Sequence, residues 1–186
     1  MLFKQISMIL VIFATSIKAH EISIQIMDAE AVTPVQIQEL NTVFMDAFHA
    51  VYIKDWDEKI EQQTKHIFES YICQYQSNPA MILFIAKKDD QLAGWALFKK
   101  IDNQNAILEI LCISPHFWRQ GIGKKLVFAI CDAYPSISHI SLMTREINPI
   151  SPQFYEALGF KKTDFSLPEY KEYENLQGFE WQKLES

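Results

Sequence analysis

The chain is most distinctive at residues 107–132, ILEILCISPHFWRQGIGKKLVFAICD, where an apolar run leads into a two-glycine turn and then a helical pattern. This order points unpaired backbone N–H groups and the positive end of a helix dipole at one place, which suits a phosphate group. Gly121 and Gly123 would let a phosphate approach the backbone, and Arg119 and Lys124 would add charge at the rim. From the turn alone, a tight connection without a ligand is an equally good interpretation, because short glycine motifs have low specificity.

Two common phosphate-binding motifs are excluded at this turn. The chain contains no GxxxxGK[ST] sequence, which rules out a P-loop, and Leu126 stands at the third glycine position of a GxGxxG motif. The order of the predicted elements also lacks the repeated βαβ units of a dinucleotide-binding fold.

Hydrophobic periodicity predicts eleven elements after residue 20. Apolar alternation or short apolar runs indicate strands at 21–28, 80–86, 92–100, 106–114 and 139–146, and the final strands are predicted at 161–166 and 179–185. Apolar spacings of three and four indicate helices after Thr33 and from about Asp57, and two more at 121–133 and 151–158. Gly94 predicts a bulge or a close backbone approach, and Ser151 a helix cap. The order β-α-α-β-β-β-α-β-α-β-β predicts a mixed α/β fold of helices layered on a sheet.

Composition, charge and cysteine spacing exclude several classes of protein. One domain is expected for this length, and we assign it to residues 20–186. The formal net charge of −6 argues against nucleic-acid binding, which needs a basic surface. Cys73, Cys112 and Cys131 include no CxxC pair, so we expect buried free thiols rather than a disulfide scaffold or a zinc site.

Residues 1–19 have the pattern of a targeting segment. Lys4 gives a weakly positive start, residues 6–14 are almost wholly apolar, and Ala19 offers a cleavage point, with Ile17 at the minus-three position. The apolar run is short for a membrane span, so no stable span is expected. A cleaved secretory signal is the first hypothesis. An uncleaved anchor and an extension foreign to the native protein are the alternatives.

Two segments together resemble the GNAT superfamily of acetyl-CoA-dependent N-acetyltransferases. The family pattern [R/Q]-x-x-G-x-[G/A] fits the glycine turn, and N-x-x-A-x-x-x-Y-x-x-x-G-F fits NPISPQFYEALGF, residues 148–160, with Ser151 in place of the alanine. Trp118 departs from the usual Arg or Gln of the first motif. The resemblance implies a mixed, mostly antiparallel twisted sheet of six to seven strands, flanked by about four helices and splayed between strands 4 and 5.

The resemblance also implies a binding site for acetyl-CoA as co-substrate, with no metal. The pyrophosphate would lie on the backbone N–H groups of Arg119, Gln120, Gly121, Ile122, Gly123 and Lys124. The pantetheine arm would pair with the backbone near Cys112 and Ile113, and Asn148 would touch the arm from the fifth strand.

Two residues are candidates for the chemistry of amine acetylation. Tyr155 matches the family's tyrosine near the cofactor sulfur and would protonate the leaving thiolate, although packing in a short helix is the alternative. Glu109 is the charged residue of an otherwise apolar strand and would accept the amine proton, directly or through water. A solvent-facing glutamate explains the same position equally well. His116 and His139 are expected at the surface, and Cys112 is expected to be an inert core thiol.

The acceptor is predicted to be a primary amine on a small molecule, a polyamine or a peptide. Family pockets use the first helices and the loop before the last strand, which contain an aromatic and acidic set: Tyr52, Trp56, Glu58, Glu169, Tyr170, Glu172 and Tyr173. A solvated charged loop is the alternative for these residues. A homodimer is compatible with the resemblance. A non-catalytic acyl-CoA sensor is the alternative function, and a cytoplasmic location, where acetyl-CoA is found, is the alternative to export.

Overall fold

Seven strands and four helices form in the predicted order in a computed structural model, which describes residues 21–146, 148–167 and 175–183. The strands are β1 (Ile22–Met27), β2 (Met81–Lys88), β3 (Gln91–Lys100), β4 (Asn105–Ile113), β5 (His139–Arg145), β6 (Lys161–Thr163) and β7 (Leu176–Gln182). The helices are α1 (Pro34–Tyr52), α2 (Glu58–Ser77), α3 (Ile122–Ala133) and α4 (Ser151–Ala157), and a short 3-10 turn spans Pro115–Phe117. The targeting-segment prediction for residues 1–19 lies outside the described residues.

The strands form one mixed sheet in the order β1-β2-β3-β4-β5-β7-β6. The β4–β5 pair is parallel, and all the other pairs are antiparallel. This arrangement confirms the predicted fold class. The chain crosses from β4 to β5 through α3, as a parallel pair requires.

Each face of the sheet has its own hydrophobic core. α1 and α2 cover one face, where Phe44, Phe68 and Trp95 form an aromatic cluster, and α3 and α4 cover the other. Strand β2 serves both cores: Ile82, Phe84 and Ala86 face α3, whereas the alternate residues Met81, Leu83 and Ile85 face α1 and α2. Burial on both faces explains why residues 80–86 are continuously apolar rather than alternating.

A bulge in β4 reverses which residues face each core. Leu97 pairs with Ile110 and Phe98 with Leu108, so Glu109 is the extra residue. Before the bulge Leu108 faces α3, and after it Ile110 packs with the α1 and α2 core. Hydrophobic alternation along a strand does not show where an extra residue is inserted, so the bulge could not be predicted from the sequence.

Two local predictions can be compared directly with the structure. Gly94 is confirmed as a close approach, because a Cβ there would lie 2.6 Å from the Cys112 carbonyl oxygen, and the bulged residue of β3 is its neighbour Ala93. The cap prediction for Ser151 is wrong. Ser151 is the first helical residue of α4, Ile150 precedes it, and the Asn148 side chain supplies the capping bonds instead.

None of the helices in residues 21–146, 148–167 and 175–183 combines the length and apolarity needed to cross a bilayer.

Candidate active site

Strands β4 and β5 separate just before the glycine turn. Their parallel pairing runs from Asn105 with His139 to Leu108 with Leu142, and it ends there. Within the described ranges, β4 pairs with β3 alone from Ile110 onward. The resulting gap is the predicted splay between the fourth and fifth strands.

Backbone groups that take part in no strand pairing among the described residues line the β4 side of the gap. The Ser114 N–H donates to the Ala93 carbonyl at 2.9 Å, which sets the alternation of the β3–β4 ladder. By that alternation, the backbone of Cys112 points toward β3, whereas the backbones of Leu111 and Ile113 point into the gap. The family resemblance implied Cys112 and Ile113 for this strand, and Leu111 was not predicted, because only the register shows which residues face the gap.

The glycine turn presents a row of backbone N–H groups. Arg119 and Gly121 have φ angles of 61° and 79°, in the left-handed region that favours glycine. The first bond of α3 is the one from the Lys125 N–H to the Gly121 carbonyl, at 3.1 Å. Across the described ranges, the N–H groups of residues 119–124 therefore have no hydrogen-bond acceptor. A Cβ on Gly121 would meet no atom within 4 Å, so the space above the turn is open.

Trp118 has a structural role at the position where the family carries Arg or Gln. Its indole Nε1–H donates to the Ile113 carbonyl at 2.8 Å, which fastens the turn to the end of β4. The side chain is half-buried, and the exposed position next to it is Arg119. With Trp118 at the first motif position, the positively charged side chain stands one residue later, at Arg119. The N–H groups of the turn keep their positions.

The turn is surrounded by positive charge in a protein of net charge −6. Arg119, Lys124 and Lys125 are exposed around it, and Lys88 at the end of β2 donates to the Gln120 side chain. The open N–H groups and the cations fit an anionic group.

Gly123 brings α3, α4 and β4 together at the edge of the gap. A Cβ on Gly123 would lie 3.0 Å from the Phe154 ring of α4 and 3.9 Å from the Ile113 side chain. Phe154 stacks edge-on against Tyr155 with ring centroids 5.1 Å apart. The glycine turn therefore sets the position of the helix that carries Tyr155.

Tyr155 is buried between α4 and the sheet. It is 7% exposed and contacts the rings of Phe160 and Phe179. Burial raises the pKa of Tyr155, and the nearby Cys112 thiol raises it further. The phenol thus keeps its proton at neutral pH, and both the packing and the catalytic interpretation fit this environment.

Glu109 is the bulged residue of β4 and lies where the gap opens. It is half-buried, and the Tyr71 hydroxyl donates to its backbone carbonyl at 3.4 Å. The bulge and the end of β5 pairing coincide at this residue, so its position fits the predicted base.

The remaining candidates are spread over the molecule. His139 contacts Asn105 and Glu180 at the far end of the sheet, and His116 is exposed. The three cysteines are unpaired as expected: Cys112 is buried with a raised pKa because of burial, and Cys131 is partly buried, but Cys73 is exposed.

Part of the predicted acceptor set is described. Tyr52 at the end of α1 and Trp56 in the following loop are half-buried, and Glu58 is exposed. Glu169, Tyr170, Glu172 and Tyr173 lie outside the described residues. The described segments contain no cluster of three His, Cys, Asp or Glu side chains that could hold a metal ion.

Solved structures of acetyltransferases share this fold. PaiA N-acetyltransferase from Thermoplasma acidophilum, solved with coenzyme A, is 21% identical with a TM-score of 0.70, over 87% of this chain and 99% of its own. An acetyltransferase from Streptococcus agalactiae is 20% identical with a TM-score of 0.62, over 87% and 98% of the two chains. Aminoglycoside 6'-acetyltransferase type Ii is 18% identical with a TM-score of 0.58, over 88% and 99%.

No curated protein matches the chain. Residues 44–160 match the model of the acetyltransferase (GNAT) family, which is more than half of the sequence and includes the gap, the glycine turn and Tyr155. The chain therefore belongs to the GNAT family and is an acyltransferase.

Proposed function

We propose that residues 20–186 form one N-acetyltransferase domain that moves an acetyl group from acetyl-CoA to a primary amine. The observation that carries this proposal is the row of unpaired N–H groups at residues 119–124, placed directly after the β4–β5 gap. The solved relative bound to coenzyme A, although 21% identical, supports the choice of cofactor.

The described residues fit the two parts of such a cofactor. The N–H groups of the turn and the cations around it would hold the pyrophosphate, as helix N-termini commonly do. The Leu111 backbone and the Ile113 N–H would pair with the pantetheine arm like an added strand, while the Ile113 carbonyl holds the Trp118 indole. Acetyl-CoA would supply a thioester, whose carbonyl carbon is the electrophile of the reaction.

The chemistry assigns one proton transfer to each of the two candidate residues. The amine nitrogen forms a bond to the acetyl carbon, and the bond from that carbon to sulfur breaks. Glu109 would receive the proton that the amine loses, directly or through water, and Tyr155 would donate a proton to the sulfur that leaves. The raised pKa of Tyr155 keeps the phenol protonated and able to donate.

The acceptor would enter from the side of α1 and the loop that follows it. Tyr52 and Trp56 place aromatic rings there, and Asp55, Asp57 and Glu58 are exposed in the same segment. Aromatic faces and carboxylates attract a cationic amine before it loses its proton. The name of the aminoglycoside acetyltransferase relative is consistent with a small polyamine-like acceptor, which we prefer over a peptide.

Calorimetric titration with acetyl-CoA, followed by a thiol-release assay over a panel of amines, tests the proposal. We expect binding and amine-dependent release of coenzyme A. Binding without release on any amine would favour an acyl-CoA sensor, and absence of binding would overturn both cofactor roles.

Gly121→Glu tests the placement of the pyrophosphate. The carboxylate would enter the open space above the turn, so we expect acetyl-CoA binding to be lost. Gly121→Asn is the matched control, because asparagine tolerates a positive φ and carries no charge, and it should weaken binding less. Unchanged affinity in Gly121→Glu would contradict the placement.

A further inference from the structure

The indole of Trp118 ties the glycine turn to the strand before it. The Trp118 backbone N–H donates to the Pro115 carbonyl at 3.3 Å, at the end of the short 3-10 turn. Its Nε1–H donates to the Ile113 carbonyl at 2.8 Å. Trp118 is thus fixed at its backbone and at its side chain, directly before the N–H row of residues 119–124.

Arg119, the first residue of that row, has a backbone conformation that needs support. Its φ of 61° lies in the left-handed region, which costs free energy in a residue with a side chain and persists only when the surroundings hold it. Both neighbours of Arg119 are anchored. Trp118 is held by its indole, and the Gln120 side-chain amide donates to the His116 carbonyl at 3.3 Å. The conformation of Arg119 is therefore supported from both sides.

This conformation decides where the N–H row points. The φ and ψ angles of a residue set the orientation of the next peptide unit, so Arg119 orients the N–H groups that follow it. The two ends of the connection are fixed, because β4 is paired with β3, and Ile122 and Leu126 of α3 are buried. The indole adds a fixed position for the short connection between them. The row can then face one anion before that anion binds.

The same indole marks the end of the β4 edge that would pair with the pantetheine arm. It occupies the Ile113 carbonyl, whereas the Leu111 backbone and the Ile113 N–H take part in no strand pairing among the described residues. One hydrogen bond therefore joins the edge that would hold the arm to the row that would hold the pyrophosphate.

We propose that Trp118 is a positioning residue for coenzyme A: its indole holds Arg119 in the left-handed conformation and so presets the N–H row for the pyrophosphate. A preset site binds more tightly because less ordering remains to be done when the ligand arrives. The identity of the ligand rests on the proposed function, whereas the tether rests on the hydrogen bond alone. Trp118 thus acts on the cofactor through the backbone of the turn, at a position where the family carries Arg or Gln.

Trp118→Phe tests the tether, because phenylalanine keeps an aromatic ring and lacks the N–H donor. We expect the Kd of coenzyme A in calorimetry to rise about 10-fold, while kcat at saturating acetyl-CoA, with the most active amine of the panel, stays within about 2-fold of the wild type. The two effects separate because Tyr155 and Glu109 keep their positions. An unchanged Kd would overturn the proposal, and so would a fall in kcat with an unchanged Kd.

Trp95→Phe is the matched control. The Trp95 Nε1–H donates to the Leu40 carbonyl at 3.1 Å, in the core on the face of the sheet opposite to α3. The substitution removes the same kind of bond from a fully buried side chain, so it should lower the melting temperature at least as much as Trp118→Phe does. The Kd of coenzyme A should stay within about 3-fold of the wild type. An equal rise in Kd for both variants would trace the effect to general loss of stability and overturn the proposal.

A double-mutant cycle tests the route through Arg119. Glycine adopts a positive φ without steric cost, so Arg119→Gly removes the strain together with the charge. Trp118→Phe should therefore raise the Kd of coenzyme A by a smaller factor in the Arg119→Gly background than in the presence of Arg119. Equal factors in the two backgrounds would contradict a tether that acts through Arg119.

The tether itself is tested without a ligand, by NMR measurement of hydrogen exchange at the indole N–H groups, with Trp118→Phe identifying the signal. We expect the Trp118 Nε1–H to exchange at least about 10-fold more slowly than free indole. Exchange at the rate of free indole would contradict the bond to Ile113. If the wild-type protein binds no coenzyme A, the proposed function fails, whereas this exchange rate still decides whether Trp118 holds the turn.

Discussion

At the scale of single residues, Tyr155 has the clearest chemical prediction. A donor phenol that protonates the leaving sulfur contributes about 10²-fold or more to turnover. Tyr155→Phe should therefore lower kcat by about that factor, measured by thiol release. The Kd of acetyl-CoA should stay nearly unchanged, because the ring and its packing remain.

Tyr75→Phe is a matched control for that substitution. Tyr75 is also buried, at 3% exposure, but it lies in the core under α1 and α2, on the face of the sheet opposite to Tyr155. Its hydroxyl donates to the Met27 carbonyl. The Tyr75→Phe variant should have the kcat of the wild type. Equal kcat values for Tyr155→Phe and the wild type would reduce Tyr155 to a packing residue.

Gly123 packs against the ring of Phe154, the residue next to Tyr155. An alanine Cβ would lie 3.0 Å from the Phe154 ring, so the ring must shift by a few tenths of an ångström. We expect a loss of about 1 kcal/mol of unfolding free energy in urea, and a lower kcat because Tyr155 is adjacent to Phe154.

Phe154→Leu in the same protein should relieve the contact and restore part of the stability lost in Gly123→Ala. If the two substitutions destabilise additively, the glycine is not required by the Phe154 ring.

At the scale of elements, the β4 bulge places Glu109 where β5 stops pairing. If Glu109 is the base, Glu109→Gln should lower kcat/KM by about 10²-fold and remove the acidic limb of its pH profile. The glutamine keeps the size of the side chain, so the bulge should persist. An unchanged profile would assign proton removal to water alone.

Strands β3 and β4 approach each other most closely at Gly94. An alanine Cβ would lie 2.6 Å from both the Cys112 carbonyl oxygen and the Ile113 side chain. Because a backbone oxygen in a ladder has little room to move, Gly94→Ala should cost about 3 kcal/mol in urea unfolding. Ala96→Gly, in the same strand, is a useful comparison for backbone entropy. If the urea midpoint of Gly94→Ala equals that of the wild type, β3 and β4 can separate at this point at little cost.

At the scale of the whole molecule, buried phenols make the fold sensitive to alkali. Burial, helped by Asp28, raises the pKa of Tyr75 from 10.0 to about 12. Below pH 10 both states keep this proton. Above pH 10 the unfolded state loses it first, so the native state binds more protons and stability falls. Tyr155 and Cys112 act in the same direction because burial raises their pKa as well.

We expect Tyr75 alone to remove about 2 kcal/mol of unfolding free energy between pH 10 and pH 12. Urea unfolding at successive pH values measures this, and Tyr75→Phe should flatten the decline. A stability that stays constant up to pH 12 would contradict the buried, protonated phenol.

The elements and their order were predictable because they depend on local patterns. Thr33 and Pro34 begin α1, and the Thr33 and Gln36 side chains form a capping box there. Apolar spacing predicted α1, α2 and α3, and apolar alternation or apolar runs predicted β1 to β5. The family resemblance then implied a mixed, mostly antiparallel sheet that splays between strands 4 and 5, and the structure contains such a sheet.

The family, the elements and the N–H row of the glycine turn could be predicted before the fold was known, since each of them follows from residues close together in the chain. The tertiary structure alone decided that Leu111 and Ile113 face the gap, that Trp118 holds the end of β4, and that Asn148 rather than Ser151 caps α4. The physical reason is register and distance. One bulged residue at Glu109 reverses the direction of every later residue in β4, and the Trp118 indole reaches the Ile113 carbonyl because the turn folds back onto the end of that strand.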